Sequence, residues 1–469
     1  MKKGFIPPYP KPMPNHGKWL NLLTRPAKFL RSRRCSLSQL TDASYSMQMG
    51  EVRLPMKRLY IANQPELVQR ILVDDAPHFP KSGIIADMLE LLMGDSIFVS
   101  NGEVWKRQRR MMDPAFEQAR IKVVFDLMME AVDALTARLD ALPNASACAI
   151  DVEMTHVTAD IIFRTIFSHP IAAHEAHLIY EAFIRFQETA FTHGMTRTMG
   201  FPSLFTYFRQ RRAKTAAAEI RGVLDPIIKT RFDSFHKGEP QTHQDILQTL
   251  ISVKDSVTGT HFDFRELCEQ VAMLFLAGHE TSASSLSWAL YLLSEYPGIQ
   301  ERAHQEAVSV VGEGRPKFSH VKRLGLIRNI FAEALRLYPP VAFLPRTAAV
   351  PVCMRDKEIK AGAMISISPW LLHRHRRHWK EPDSFDPDRF DRDDTVTAQR
   401  QAYLPFSKGP RVCLGASFAL QEAALILVTL VKRYRLDPVP GFAPKPIGRL
   451  TVRSENGIRL IVTRRSPAS

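Results

Sequence analysis

The stretch Phe406-Ser407-Lys408-Gly409-Pro410-Arg411-Val412-Cys413-Leu414-Gly415 holds the residues best placed to do chemistry. One cysteine stands just ahead of a strongly helical run, behind a glycine turn, with Arg411 two residues upstream. The helix beyond Cys413 aims its first amides and positive dipole end at the sulfur, which favours the thiolate, the form that ligates metals. Gly409 permits a turn that a side chain would strain. Gly415 lets backbone pass close to a flat ligand, Phe406 packs against the loop and shields it, and Arg411 can meet an anionic group. A lone cysteine before an amphipathic helix is ordinarily a small buried hydrophobe. Five matched positions together outweigh that reading.

Three further constellations accompany it. Ala277-Gly278-His279-Glu280-Thr281 lies inside a long apolar run. Glycine in a helix interior costs about 1 kcal/mol against alanine, so Gly278 predicts a close neighbour. Thr281 can bend the helix by bonding a carbonyl one turn back, and an acid beside an alcohol can pass protons. Glu333 and Arg336, three apart on one helix face among apolar residues, predict a buried pair. Trp105 and Arg109 lie four apart, again on one face.

These residues resemble, in order, the F-x-x-G-x-R-x-C-x-G, A-G-x-[DE]-T, E-x-x-R and W-x-x-x-R motifs of the cytochrome P-450 superfamily, and Pro387-Asp388-Arg389-Phe390 resembles its P-x-R-F element. The resemblance spans residues 105 to 415. It implies a haem-thiolate monooxygenase of the soluble bacterial type, with haem b on Cys413 as the metal ligand. By the same resemblance Thr281 and Glu280 serve oxygen activation and proton relay. Arg109, Trp105, Arg411 and Arg346 hold the haem carboxylates, for which the planar fork of arginine is suited. Glu333, Arg336 and Arg389 form a structural triad that holds the cysteine loop. Electrons would come from a separate ferredoxin or flavodoxin with its reductase. A peroxide-using or isomerising haem-thiolate enzyme and a non-catalytic haem sensor are the rival readings. The intact Glu280-Thr281 pair argues against both.

By family position the substrate is an apolar small molecule (terpenoid, steroid, fatty acid or aromatic), lined by Ile84, Ile85, Met88, Leu91, Phe183, Phe191, Met195, Val341, Phe343 and Leu450. Lys106, Arg107, Arg110 and Lys408 predict a basic patch that steers an acidic electron carrier. The run His373-Arg374-His375-Arg376-Arg377-His378 reads as a charged loop rather than a metal tract, because arginines interrupt the histidines.

The elements that must position these groups are mostly helical. The chain has 469 residues, a net charge of +15 and ordinary globular composition. With no C-x-x-C pair and no nucleic-acid-binding signature, the basic balance does not predict nucleic acid. Five scattered cysteines argue for a reducing, cytoplasmic compartment. No segment approaches the 18 or so apolar residues of a membrane span, so no transmembrane anchor is expected. A basic, proline-containing arm is expected over 1–45, with an amphipathic stretch at Trp19–Leu30, ahead of one large domain over 46–469. That domain is expected to be mainly α with a minor β portion (α+β). Alternation predicts two strands and then a helix within 52–72. Asp263 with Glu266 predicts a capped start to a long helix ending near Pro297, and helices are expected at 299–312, 325–337 and 415–433. A loop is expected from His193 to Ser203.

Overall fold

The computed structural model describes residues 5–12, 35–53, 58–198, 207–392 and 400–466. Its spine is the helix Phe264–Glu295, whose start is a capping box: Glu266 N–H donates to Asp263 Oδ1 at 2.7 Å, and Asp263 N–H donates to Glu266 Oε2 at 3.1 Å. Pro297 cannot continue that helix and instead occupies the first position of the next, Pro297–Val311. Helix Ile150–Phe167 packs along the spine. They meet closely because Gly278 has no side chain: a Cβ there would lie 3.1 Å from Ile162 Cδ1.

Helices Gly325–Leu337 and Ala416–Arg433 close the spine on another side, while Ala173–Thr198 and Tyr207–His236 pair with each other. A four-stranded sheet runs in the order Met49–Arg53, Arg58–Ala62, Met364–Ile367, Leu344–Thr347. Its middle pair is parallel and its outer pairs antiparallel. The register sets Arg346 opposite Ile365. Strands Pro446–Gly448 and Val452–Ser454 form a separate hairpin. Most buried apolar residues form one cluster between the helices; a smaller one, with Tyr60, Ile71, Phe79 and Ile365, lies at the four-stranded sheet.

The expected strands and helices are present within a few residues. Two local expectations need correction. The helix Ala173–Thr198 runs through His193 and Gly194, where a loop was expected; one interior glycine costs only about 1 kcal/mol, which packing against a neighbouring helix can outweigh. At the end of the N-terminal arm Leu37, Leu40 and Tyr45 are core residues. The histidine–arginine run is not a solvated loop at its start, since His373, Arg374 and His375 are at most 1% exposed. Arg374 stacks over Trp370 at 3.9 Å, and His373 Nε2 accepts the Leu404 N–H at 2.7 Å. Among the described residues no group of three or more His, Cys, Asp or Glu could hold a metal ion. The Trp19–Leu30 stretch and the side chains of Phe191 and Met195 lie outside the described residues. Among the described residues no helix is long and apolar enough to cross a membrane.

Candidate active site

Cys413 is held by its own loop. Its N–H donates to Phe406 O at 2.9 Å, and Phe406 packs against the main core. The turn needs glycine at 409: φ is +71°, and a Cβ would fall 2.0 Å from Leu72 O. Burial pushes the Cys413 thiol up, while the Gly415 N–H bond to sulfur and the Arg109 charge pull it down without cancelling the rise. A coordinating metal deprotonates such a thiol outright. Gly415 is not demanded by protein packing, because a Cβ there would meet no protein atom within 4 Å. Room for a ligand plane is a reason for glycine there.

Four cations surround this loop. Arg346, 4% exposed, donates to Pro345 O at 3.1 Å, and burial lowers its pKa to about 10. Arg411 is also lowered to about 10, by burial and by the charge of Arg346. Its guanidinium donates to Ser100 O at 3.1 Å and Asn101 Oδ1 at 2.9 Å, and lies 4.1 Å over the Trp105 ring. Trp105 thus offers its ring face to Arg411. Arg109 is bound within the chain, donating to Val412 O and pairing with Asp113, each at 2.7 Å. It ties its helix to the residue before Cys413.

The fourth cation, Lys81, was missed in the sequence. Its Nζ donates to Ile97 O at 3.2 Å and Phe98 O at 2.5 Å. Its pKa is held well below the usual lysine value by burial, then by Arg411, Arg346 and Arg109. No motif marks a lysine so far from the cysteine loop in sequence; only the antiparallel bridge Lys81↔Arg346 brings it there. Lys81, Arg346 and Arg411 have backbone and amide acceptors, but no carboxylate partner among the described residues. Cations in that state, Arg346 buried and Lys81 and Arg411 half-buried, favour an anionic guest. Thiolate donor, side-chain-free Gly415 and acid-poor cations together fit a flat, metal-bearing dicarboxylate such as haem.

On the spine, Thr281 Oγ1 donates to Ala277 O at 2.7 Å, the one-turn-back bond expected of it. Glu280, 2% exposed, turns toward the hairpin: Thr451 Oγ1 donates to Oε1 at 2.5 Å, and Arg453 pairs with Oε2. Burial pushes the Glu280 carboxyl up, but Arg453, His279 and Thr451 outweigh it and hold the pKa below the ordinary value. Thr451, Arg453 and Gln187 line a polar cleft of about 240 Å³. A second acid escaped the sequence reading. Glu422, 2% exposed, accepts from Ser282 Oγ at 2.6 Å, and burial lifts its pKa to about 8.

Glu333 binds Arg336 at 2.7 and 2.8 Å and Arg389 at 3.0 Å, and also accepts the Asp386 N–H at 3.0 Å. Arg336 reaches on to the carbonyls of His373, Pro382 and Ser384. This node fixes the segment leading to the cysteine loop. The expected basic patch differs: Lys106, Arg107 and Arg110 pair with Glu103, Glu266 and Asp255 at 2.6–2.7 Å. Their charges are largely spent inside the chain.

A predominantly helical fold with a cysteine loop, a cation cluster and an acid–alcohol turn defines a haem-thiolate oxygenase. The cytochrome P450 family matches residues 7–462, and the chain belongs to that family. It is a monooxygenase that binds haem iron, takes an apolar substrate and draws on a redox partner. The chain is 32% identical to cyclooctatin synthase of Streptomyces melanosporofaciens over 94% of its length and 93% of that protein's. It is 31% identical to cyclooctat-9-en-7-ol 5-monooxygenase of the same organism, over 92% and 90%. Pentalenene oxygenase of Streptomyces avermitilis is 28% identical, over 98% and 97%. Among solved structures, the cytochrome P450DA heme domain superposes with a TM-score of 0.79 at 25% identity, covering 98% of each chain.

Proposed function

We propose that the chain binds haem b through Cys413 and hydroxylates a neutral terpenoid in the cytoplasm, with electrons from a separate ferredoxin or flavodoxin. The observation that carries the cofactor reading is the set of cations Lys81, Arg346 and Arg411 beside a cysteine loop, whose donors end on backbone and amide oxygens with no carboxylate among the described residues. The terpenoid reading is supported by the names of the relatives and by apolar side chains that are packed on the core yet only partly buried: Ile85, Met88, Leu91, Phe343 and Leu450. Phe183, also expected there, is 2% exposed and packs edge-on against His279.

Haem iron held by Cys413 would supply the chemistry of O–O cleavage. The chain's residues do the rest. The Gly415 N–H and the charge of Arg109 favour the thiolate at Cys413. Lys81, Arg346 and Arg411 bind carboxylates, with Trp105 supporting Arg411. The Thr281 hydroxyl orients protons at the spine, and Glu280, ionised and beside a polar cleft, exchanges them with solvent. The exposed Val412 and Leu420 give a carrier apolar contact on the cysteine side. The test is the carbon monoxide difference spectrum of the reduced protein. A strongly red-shifted Soret band, lost in Cys413→Ser, is expected; a band like that of histidine-ligated haem would overturn the assignment of Cys413. Thr281→Ala should lower the product formed per NAD(P)H, and unchanged coupling would remove Thr281 from the reading.

A further inference from the structure

The loop ahead of the Gly102–Met112 helix is fastened on one side and holds cations on the other. At its entrance Gly94 has φ +53°, and a Cβ there would fall 2.1–2.5 Å from atoms of the Glu269 side chain. Asp95 N–H donates to Glu269 Oε2 at 3.1 Å, and Ile97 N–H donates to Gln270 Oε1 at 3.0 Å. Gln108 donates to Asp95 O at 2.7 Å and accepts from Ser100 Oγ at 2.6 Å. Arg265 holds Glu269 Oε1 at 3.0 Å. Glu269 is 6% exposed and Gln270 is fully buried. Both sit on the long helix, about two turns before Ala277.

Acceptors on the other side of the same loop are taken by cations. The carbonyls of Ile97 and Phe98 receive Lys81 Nζ. Ser100 O and Asn101 Oδ1 receive Arg411, and Asn101 Oδ1 also accepts the Lys81 N–H at 3.0 Å. Lysine on its flexible four-carbon stem binds an anion poorly until something fixes it. Two carbonyls presented by a pinned loop do so.

We propose that residues 94–101 are a clasp that sets Lys81 and Arg411 for the haem carboxylates, with Gly94, Gln108, Glu269 and Gln270 as positioning residues for cofactor binding. The inference rests on the reading of Lys81 and Arg411 as carboxylate ligands. None of the four need touch the cofactor; they act through the loop.

The experiment is the rate at which holoenzyme surrenders haem to apomyoglobin, measured with native haem and with haem dimethyl ester, which lacks the carboxylate charges. Glu269→Ala and Gln270→Ala should each speed the loss of native haem about tenfold, the loss of one well-placed charged hydrogen bond, and leave the loss of ester haem unchanged. Glu269→Gln keeps an acceptor for Asp95 N–H and should restore much of the retention. Adding Glu269→Ala to Lys81→Met should cost little more than Lys81→Met alone. Equal acceleration with both haems would reduce Glu269 and Gln270 to general supports and overturn the clasp. If Lys81→Met and Arg411→Met themselves fail to distinguish the two haems, the carboxylate-ligand reading falls first. If they distinguish them and the Glu269 and Gln270 variants do not, only the clasp falls.

Discussion

Two charged regions flank the cysteine loop, and they are built on opposite plans. At the Glu333 node one carboxylate meets two guanidiniums, all three residues at most 3% exposed, and the spare Arg336 donors end on carbonyls. Burial pushes the Glu333 carboxyl up, but Arg336 and Arg389 outweigh it. Around Lys81, Arg346 and Arg411 only Arg346 is buried to that degree; burial and neighbouring cations lower Lys81 and Arg411, burial alone lowers Arg346, and the three find no acid among the described residues. The first region is complete in the folded chain and has scaffold work to do. The second is costly in the protein by itself and gains when an anion arrives. Buried charge by itself therefore says little about function; whether its partner lies inside the chain says more.

Breaking the complete region should have the largest effect. Glu333→Ala leaves two buried arginines uncompensated and should cost about 3–5 kcal/mol, read in thermal unfolding, with a fall in haem per protein as the cysteine loop loses its support. Glu422 sharpens the contrast as a buried acid that answers burial by keeping its proton. Its pKa rises from 4.5 to about 8 in the folded chain. The folded state then holds a proton the unfolded chain has released, so this stability is full below about 4.5 and lost as pH rises through about 8. Glu422→Gln should remove that slope. Its melting temperature relative to wild type should climb with pH across the window, by the equivalent of a few kcal/mol; a parallel pair of curves would refute the shifted acid.

Arg346→Met tests the incomplete region and should give opposite signs in two measurements. Haem affinity should drop about 10- to 100-fold with the lost charged hydrogen bonds. The haem-free protein should melt at the same or a higher temperature, because an unpaired buried guanidinium has been removed. A fall in both would mean that Arg346 behaves like the Glu333 node. The smallest effect concerns the spent surface charges. With Lys106, Arg107 and Arg110 paired to acids of the same chain, Arg110→Gln should change the salt dependence of electron-transfer rate by less than about threefold. A steep loss of salt dependence would restore those charges to a steering role.

The Gly409 turn and the helix that starts just after Cys413 were readable from the sequence because loop chemistry is local: a glycine turn and a helix start fit within ten residues. The Glu333–Arg336 pair and the Thr281 bend were readable for the same reason, being one helical turn wide. The capping box at Asp263 likewise fixed the start of the spine. Lys81 and Glu422 carry no such mark. Glu280 was readable as an acid, but its ionised state was not, since Arg453 lies 173 residues away in sequence. The same applies to Lys106, Arg107 and Arg110: the residue types were plain, and the acids that absorb two of them come from 145 and 159 residues away.

The sequence by itself determined which residues can act, because donor type, helix spacing and glycine turns are set by neighbours along the chain. Only the tertiary structure decided which charges are answered and which are left for a guest. Electrostatic pairing depends on distance through space and on burial, and the folded packing of distant segments sets both.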